Sequence, residues 1–324
     1  MSKKTIGVLT SGGDSPGMNA ALRAVVRTGI YHGNTVFGIK RGYQGLIEGD
    51  IEQLQLASVS NIIKYGGTFL QTARCDAFYT PEGRTAAYEQ VHKRGIDSLI
   101  VIGGDGSFRG LHDLVTEFPL QGIGVPGTID NDVYGTDYTI GFDTAVNTAL
   151  EAIDKIRDTA TSHSRLFIVE VMGRTSGYIG LYTGISGGAE EILIPETGSD
   201  IQAVCTKLEA GHQRGKKSSI IVVAEGDEAG GAFAIKKQLE TMVDWEIRVS
   251  VLGHQQRGGS PSAFDRILAS RLGYEAVLAV MHNETDKMVG LVNNTVTLTP
   301  LEETWSRKKS IDEDYFKIAA ILAI

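Results

Sequence analysis

Cysteine is scarce in this chain, whose 324 residues include only Cys75 and Cys205. Two cysteines are too few for a disulfide framework, which excludes a disulfide-stapled fold. Long hydrophobic runs are missing as well. The first apolar run, IGVL at 6–9, stops at the glycine-rich TSGGDSPG. It is therefore too short for a signal peptide, and no later run is long enough to span a bilayer. We expect a soluble cytoplasmic protein.

Positive charge is also in deficit. Lys and Arg number 31 against 39 Asp and Glu, which gives a net charge of −8 and a pI near 5.4. This balance excludes the whole molecule as a nucleic-acid or anionic-membrane binder, so an anionic ligand would need local basic clusters. The hydrophobic share of 42% allows a full core, and the length favours two domains. The 40 glycines predict many tight loops between regular elements.

Short apolar runs alternate with helical patterns along the chain. Several runs show no polar alternation, which indicates strands buried on both faces of a parallel sheet. Helical periodicity covers 18–30 and 142–156. The pattern predicts an α/β fold of doubly wound three-layer domains with mainly parallel sheets and right-handed crossovers. The predicted strands are 6–9, 98–102, 123–125, 166–172, 191–194, 219–224 and 248–252.

Polar or glycine-rich clusters follow six of these strands. In open parallel sheets, ligands bind outside the carboxyl ends of the strands, and turn formation alone does not readily explain six such clusters. We therefore predict an active site built from them. The clusters are SGGDSPG, GGDGS, PGTIDND, GRTSG, Glu225 and GHQQRGG.

Two of the clusters, SGGDSPGMNAA (11–21) and GGDGS (103–107), join a strand to a helix through glycines. Such loops let amide groups approach a phosphate at a helix N-terminus, although glycine is also routine in ordinary connections of this kind. Neither loop carries a Walker lysine or a GxGxxG motif, which disfavours an NAD-dependent oxidoreductase. An aspartate beside phosphates is repulsive unless magnesium lies between them, so Asp105 is the metal-side candidate. Asp14 could instead cap the first helix.

The stretch PGTIDNDVYGTD (126–137) gathers Asp130, Asp132 and Asp137. Asp, Asn, Gly and Pro are the usual turn formers, so a turn without chemistry would explain the composition. Like charges this close are costly, however, unless cations, amide groups or a needed proton lie between them. The residues alone leave both interpretations open.

The chain resembles the bacterial 6-phosphofructokinases in long motifs that come in the expected order. This resemblance implies two α/β domains with the active site in the cleft between them, with Mg-ATP and fructose 6-phosphate as substrates. It also implies transfer of the γ-phosphoryl group to the 1-hydroxyl of the sugar by a glycolytic, allosteric homotetramer. The motifs are TSGGDSPGMNAA, GGTFLQTARC, IGGDGS, PGTIDNDVYGTDYTIGFDTA, DKIRDTATSH, VMGR and VLGHQQRGGSP.

The resemblance implies an ATP-binding domain at 1–140 plus about 256–304. It implies a fructose 6-phosphate-binding domain at 141–255 plus about 305–324, to which the helical stretch DYFKIAAILAI would return. Its catalytic set has Asp130 as general base, Thr128 along the transfer path, Asp132 near the metal and Arg174 facing the phosphoryl group. The implied nucleotide contacts are Gly13, Tyr43, Arg74, Cys75, Gly104, Asp105, Gly106 and Ser107.

The implied sugar-phosphate contacts are Thr128, Ile129, Asp130, Arg165, Met172, Gly173, Arg174, Glu225, Arg248, His254, Gln255, Gln256 and Arg257. The implied effector site, for ADP or phosphoenolpyruvate, is Arg23, Ala24, Val25, Val26, Arg27, Arg157, Gly188, Ala189, Glu190, Arg214, Lys216, Lys217 and Ser218. The chain departs from common family patterns at Leu56, Tyr65, Tyr178 and Ser218, which leaves the identity and strength of effectors open.

Arg165 and Arg174 lie at opposite ends of one predicted strand. Nine extended residues span roughly 30 Å, so the two cannot hold the same small sugar phosphate within one chain. The same holds for Arg248 and Arg257. Ordinary charges at strand ends would explain Arg165 and Arg248, but the resemblance implies that both reach into a neighbouring subunit's site.

The phosphoryl donor depends on Gly106 and Gly127. Pyrophosphate-dependent relatives typically carry Asp and Lys at these points, so we predict that the two glycines leave open space for ATP. The alternatives are a pyrophosphate-dependent phosphofructokinase and a catalytically silent sensor of nucleotide and sugar phosphate.

Overall fold

The computed structural model describes residues 3–161, 165–216 and 218–323. Contacts divide the chain into two compact units. Unit 1 is the chain up to Thr128 with Val133–Asp143 and Arg257–Lys309, and unit 2 is Ile129–Asp132, Thr144–Gln256 and the chain from Ser310.

These domain limits differ from the predicted limits by a few residues at each point where the chain passes from one unit to the other. Residues 129–132 belong to unit 2, where the Ser176 hydroxyl donates to the Asp130 carbonyl oxygen. Residues up to Lys309 stay in unit 1, because the Lys309 ammonium donates to the Asp137 carbonyl oxygen.

The strands lie close to their predicted positions, with four further short strands. They are β1 Thr5–Thr10, β2 Thr35–Ile39, β3 Ile51–Gln53, β4 Ser98–Gly103, β5 Gln121–Pro126, β6 Leu166–Val171, β7 Glu191–Leu193, β8 Ser219–Ala224, β9 Ile247–Val251, β10 Lys287–Val292 and β11 Thr295–Pro300. The α-helices are α1 Met18–Tyr31, α2 Gly42–Glu48, α3 Pro81–Lys93, α4 Asp105–Glu117, α5 Phe142–Thr161, α6 Tyr178–Ser186, α7 Ile201–Gln213, α8 Ala232–Leu239, α9 Ala263–Met281, α10 Glu303–Ser306 and α11 Glu313–Leu322.

Each unit has its own sheet. In unit 1 the order is β11-β10-β5-β4-β1-β2-β3, with a parallel centre and antiparallel edge strands β3 and β11. In unit 2 the order is β7-β8-β6-β9, and every pair is parallel. The prediction of an α/β fold with mainly parallel sheets is confirmed.

The central strands of unit 1 are buried on both faces, which explains their continuous apolar sequence. Along β4, Ile100 and Ile102 join one core cluster, which includes residues of α1 and α9, while Leu99 and Val101 join another, which includes residues of α3 and α4. Helices therefore cover both faces and make three layers.

The helix ends follow local chemistry. Thr80, Asp200, Ser262 and Asp312 each accept a backbone N–H at the start of a helix, as N-caps do. The start of α1 is different: its N-cap is Gly17, with φ 108°, and no side chain caps it. The alternative role of Asp14 as a cap of the first helix is therefore wrong.

The last stretch forms α11, which packs against α6 in unit 2. The Tyr178 hydroxyl donates to the Ser310 carbonyl oxygen (2.9 Å), and the rings of Tyr182 and Tyr315 lie 5.1 Å apart. Across the described ranges, no helix is both long and apolar enough to cross a membrane.

Candidate active site

The two glycine loops meet at the carboxyl ends of neighbouring strands in unit 1. β1 and β4 pair in parallel, with Thr10 opposite Ile102, so their loops leave the sheet side by side. The Ser107 hydroxyl donates to the Ser11 hydroxyl oxygen (3.0 Å), and the Ser11 N–H donates to the Ile102 carbonyl oxygen. The first turn of α4 is exposed at Asp105 and Gly106. An exposed helix N-terminus beside glycine loops favours an anion such as a phosphate.

Asp105 is the only acid in the first turn of α4. Its exposed carboxylate accepts the Gly106 N–H at 2.7 Å. Within the described part of the chain, no three His, Cys, Asp or Glu side chains come together as a metal-binding group. Magnesium commonly takes one or two carboxylates and completes its shell with phosphate oxygens and water, so a single exposed carboxylate fits a nucleotide-bound magnesium ion.

Three further predicted nucleotide residues belong to unit 1. The buried Tyr43 stacks on Phe78 (ring centroids 4.0 Å apart) and donates its hydroxyl to the Ser107 carbonyl oxygen at 2.5 Å. Tyr43 therefore supports Ser107 from the core. Cys75 is half-buried, and this burial raises the pKa of its thiol, so the group stays neutral. Arg74 is exposed.

The two glycines of the donor prediction have different surroundings. A Cβ at Gly106 would have no heavy atom within 4 Å, so this position is open as predicted. A Cβ at Gly127 would lie 3.0 Å from Met18 Cε and 3.2 Å from Ile102 Cγ2. The prediction of open space at Gly127 is wrong, because core side chains already fill it. The donor argument rests on Gly106.

The three aspartates of 126–137 have distinct surroundings. Asp137 lies in unit 1, where its carboxylate accepts the Asn293 N–H at 2.7 Å, so the turn interpretation accounts for this residue. Asp132 is exposed, and Asp130 is only 6% exposed. Asn131, between them, has φ 54°, in the left-handed region. Thr128 is half-buried, and its carbonyl oxygen accepts the Thr139 hydroxyl.

Arg174 faces Asp130 within unit 2. It follows β6, and its Nε lies 3.8 Å from Asp130 Oδ2. The backbone of Arg174 has φ 53°, and its N–H donates to Glu225 Oε1 at 2.9 Å. Gly226 allows this close approach, because a Cβ there would lie 1.7 Å from the Arg174 carbonyl oxygen. A cation therefore lies beside a nearly buried carboxylate, an arrangement suited to proton transfer and to stabilisation of negative charge.

Ser176 belongs to this site and was not predicted from the sequence. It is 4% exposed and donates its hydroxyl to the Asp130 carbonyl oxygen at 2.7 Å. In the sequence it is one small residue of the GRTSG cluster, and no local signal gives its partner 46 positions away.

The segment 253–257 forms a 3-10 helix. Gln256 is fully buried, and its Oε1 accepts the Met172 N–H at 2.8 Å. That side chain joins two backbone segments, and the assignment of Gln256 to the sugar phosphate stays a prediction. Arg257 lies against Gly13 in unit 1, with Nη1 2.8 Å from where a Cβ of Gly13 would be. His254 and Gln255 are exposed.

Arg165 and Arg248 lie together at the amino ends of β6 and β9. Arg165 Nε pairs with Glu246 Oε2 at 2.5 Å, and Arg248 Nη2 pairs with the other oxygen of Glu246. The hydrogen bond from Arg165, reinforced by one from Arg248, holds the pKa of Glu246 below its usual range. Arg174 lies at the opposite end of β6, in accord with the distance argument.

Four of the predicted effector residues come together in unit 2. Arg157 Nη2 donates to the Gly187 and Gly188 carbonyl oxygens (2.6 and 2.8 Å), and Lys216 Nζ lies 3.0 Å from the buried carboxylate of Glu190. Arg157 Nη1 lies 3.9 Å from the same carboxylate.

The other predicted effector residues are more scattered. Ala189 is nearly buried, Arg214 is exposed and Ser218 is half-buried, while Lys217 lies outside the described residues. In α1, Arg23 and Ala24 are half-buried and Arg27 is exposed. The side chains of Val25 and Val26 are fully buried in the unit 1 core, and the assignment of these positions to the effector site stays a prediction. Of the residues at which the chain departs from common family patterns, Leu56 and Tyr65 are exposed.

Comparison with known proteins identifies the family of this chain. The family model described as phosphofructokinase matches residues 5–280. The ATP-dependent 6-phosphofructokinase of Halothermothrix orenii is 54% identical over 99% of this chain and 100% of that protein. The ATP-dependent 6-phosphofructokinase 1 of Thermus thermophilus is 56% identical with the same coverage. The chain belongs to the phosphofructokinase family, as the motifs predicted.

Solved structures show the same fold. The Pichia pastoris phosphofructokinase in the T-state superposes with a TM-score of 0.91 at 39% identity, over 100% of this chain and 40% of that longer chain. A pyrophosphate-dependent phosphofructokinase from Marinobacter aquaeolei superposes with a TM-score of 0.85 at 21% identity, over 99% of this chain and 91% of that one. At that identity the second likeness concerns the fold alone.

Proposed function

We propose that this chain is a kinase that transfers the γ-phosphoryl group of ATP to the 1-hydroxyl of D-fructose 6-phosphate. The products are fructose 1,6-bisphosphate and ADP, and the reaction is the committed step of glycolysis in the cytoplasm. The observation that carries the proposal is the nearly buried Asp130 carboxylate beside Arg174. The ATP-dependent relatives at 54% and 56% identity support it.

In the proposed mechanism, unit 1 binds the donor. The glycine loop at Gly13 and the exposed start of α4 offer backbone amides to the phosphates of ATP, and Ser107 links the two loops. Asp105 would hold magnesium, which neutralises phosphate charge when bound. The open space at Gly106 leaves room for the phosphate chain.

Unit 2 binds and activates the acceptor. As the sugar 1-hydroxyl oxygen forms its bond to the γ-phosphorus, the bond from phosphorus to the ADP oxygen breaks and the hydroxyl proton passes to the Asp130 carboxylate. The Arg174 guanidinium faces that carboxylate and stabilises negative charge on the transferred group. We assign Glu225, His254 and the backbone near Gly173 to the sugar phosphate.

The experiment is an assay with magnesium and fructose 6-phosphate, with ATP in one reaction and pyrophosphate in the other. We expect fructose 1,6-bisphosphate and ADP from the ATP reaction alone. Product from pyrophosphate alone would contradict the donor assignment and leave the acceptor chemistry intact. No product from either donor, with both ligands bound by calorimetry, would favour the silent sensor.

We also propose that the chain works as a homotetramer in which Arg165 and Arg248 serve a neighbouring subunit's sugar phosphate. The paired position of these arginines, away from Arg174, supports this assignment. Light scattering should give a mass four times the 34.8 kDa of the chain. A monomer with full activity would contradict it.

The cluster of Arg157, Gly188, Glu190 and Lys216 is our proposed effector site. Its cations suit the phosphate groups of ADP, as activator, or of phosphoenolpyruvate, as inhibitor. Repeating the ATP assay with each compound at limiting fructose 6-phosphate tests the proposal. A rate unchanged by both would contradict it.

A further inference from the structure

The loop Gly173–Gly177 is fixed to the rest of unit 2 by hydrogen bonds at successive residues. The Ser176 N–H donates to the Gly173 carbonyl oxygen at 2.8 Å, which closes the turn. The Arg174 N–H donates to Glu225 Oε1 at 2.9 Å. The Ser176 hydroxyl donates to the Asp130 carbonyl oxygen at 2.7 Å. One short loop therefore contacts Asp130 through both a backbone link and the Arg174 side chain.

We propose that Ser176 is a positioning residue that sets the Asp130 carboxylate and the Arg174 guanidinium at their working separation. This inference rests on the proposed function, in which Asp130 takes the proton. Ser176 is 4% exposed and points away from solvent, so it acts through Asp130 rather than on the substrate.

The backbone conformation at both ends of the hydrogen bond from Ser176 to Asp130 supports the proposal. Arg174 (φ 53°) adopts a left-handed conformation that residues other than glycine and asparagine rarely hold without support, and Asn131 (φ 54°), next to Asp130, is also left-handed. The Ser176 hydroxyl joins these two stretches. Proton transfer depends on hydrogen-bond reach, and a misplacement near 1 Å can cost about 100-fold in rate. Loss of one of several supports should cost less, about 10-fold.

The test replaces Ser176 by alanine, which removes the hydroxyl and little volume. We expect kcat to fall about 10-fold while the KM values for fructose 6-phosphate and MgATP stay within about 2-fold, because neither substrate contacts Ser176. Thr206→Ala is the matched control, since it removes an exposed hydroxyl that also donates to a backbone carbonyl oxygen in unit 2, on α7. Its kcat should stay close to that of the parent. Equal losses in both variants would contradict the proposal.

A double variant separates positioning from a general structural effect. If Ser176 acts through the Asp130 carboxylate, Ser176→Ala should cause no further loss in an Asp130→Ser background. A persistent 10-fold loss there would overturn the inference and leave Asp130 as the base. Wild-type turnover of Asp130→Ser by itself would instead contradict the proposed function. Ser176→Ala with parental kcat, beside an inactive Asp130→Ser, would overturn only the role of Ser176.

Discussion

Replacement of Asp130 by serine is expected to lower kcat by about 1,000-fold or more, the upper part of the range for loss of a general base. The carboxylate lies beside Arg174 and is nearly buried, so solvent cannot readily replace it as a proton acceptor. Serine keeps a small polar side chain but does not accept the proton at neutral pH. Steady-state assays of the purified variant measure the loss.

Binding should survive this substitution. The proposed sugar-phosphate contacts lie on other side chains, so calorimetric titration with fructose 6-phosphate should give an affinity within a few-fold of the parent. Turnover close to the parent's would contradict the assignment of Asp130.

Asp137→Ser is the matched control in the same stretch of sequence. The Asp137 carboxylate accepts the Asn293 N–H and supports the backbone near β10. Its loss should lower the free energy of unfolding by about 1 kcal/mol, the usual contribution of such a hydrogen bond, with kcat within a few-fold of the parent. A loss of turnover as large as that of Asp130→Ser would show that the stretch acts as a whole and not through one base.

The central strands could be predicted from the sequence because a strand buried on both faces is a continuous run of apolar residues. Along β4, side chains of both faces enter a core, so a strand reads as a continuous apolar run. Parallel pairing then brings the carboxyl ends to one edge, which is why SGGDSPG and GGDGS meet. Five of the seven family motifs lie at the end of a strand, whereas GGTFLQTARC follows a 3-10 helix and DKIRDTATSH begins within α5.

The sequence does not predict features that depend on the direction of a side chain or on packing between segments distant in the chain. The resemblance assigns Val25 and Val26 to the effector site, and the sequence does not show that the amphipathic helix α1 turns their side chains into the core. The filled space at Gly127 depends on Met18, more than a hundred residues away in the chain. Ser176 can be assigned to the site only from the structure, because its hydroxyl donates to the Asp130 carbonyl oxygen, far away in the sequence. The motifs therefore predict candidate positions, and the structure shows which of their side chains are buried and which atoms they contact.

The substitution Gly106→Asp should abolish most ATP use without destabilising the fold. The position has open space for a side chain and lies at the second residue of α4. There an acid interacts favourably with the helix dipole, by about 0.3–1 kcal/mol, and replacement of glycine in a helix adds a similar gain. Thermal unfolding should therefore occur at the same temperature as in the parent or a few degrees higher.

The activity should change in the opposite direction. A carboxylate at this point lies beside the proposed phosphate site, and two like charges about 4 Å apart near a protein surface repel by about 4 kcal/mol. We therefore expect kcat/KM for MgATP to fall at least about 100-fold. Gly106→Ala is the control, because it fills the same space without charge and should stay within a few-fold of the parent. An aspartate variant with normal ATP use would place the donor's phosphates elsewhere. An equal loss in the alanine variant would mean that ATP use depends on free space at this position and not on the lack of a negative charge.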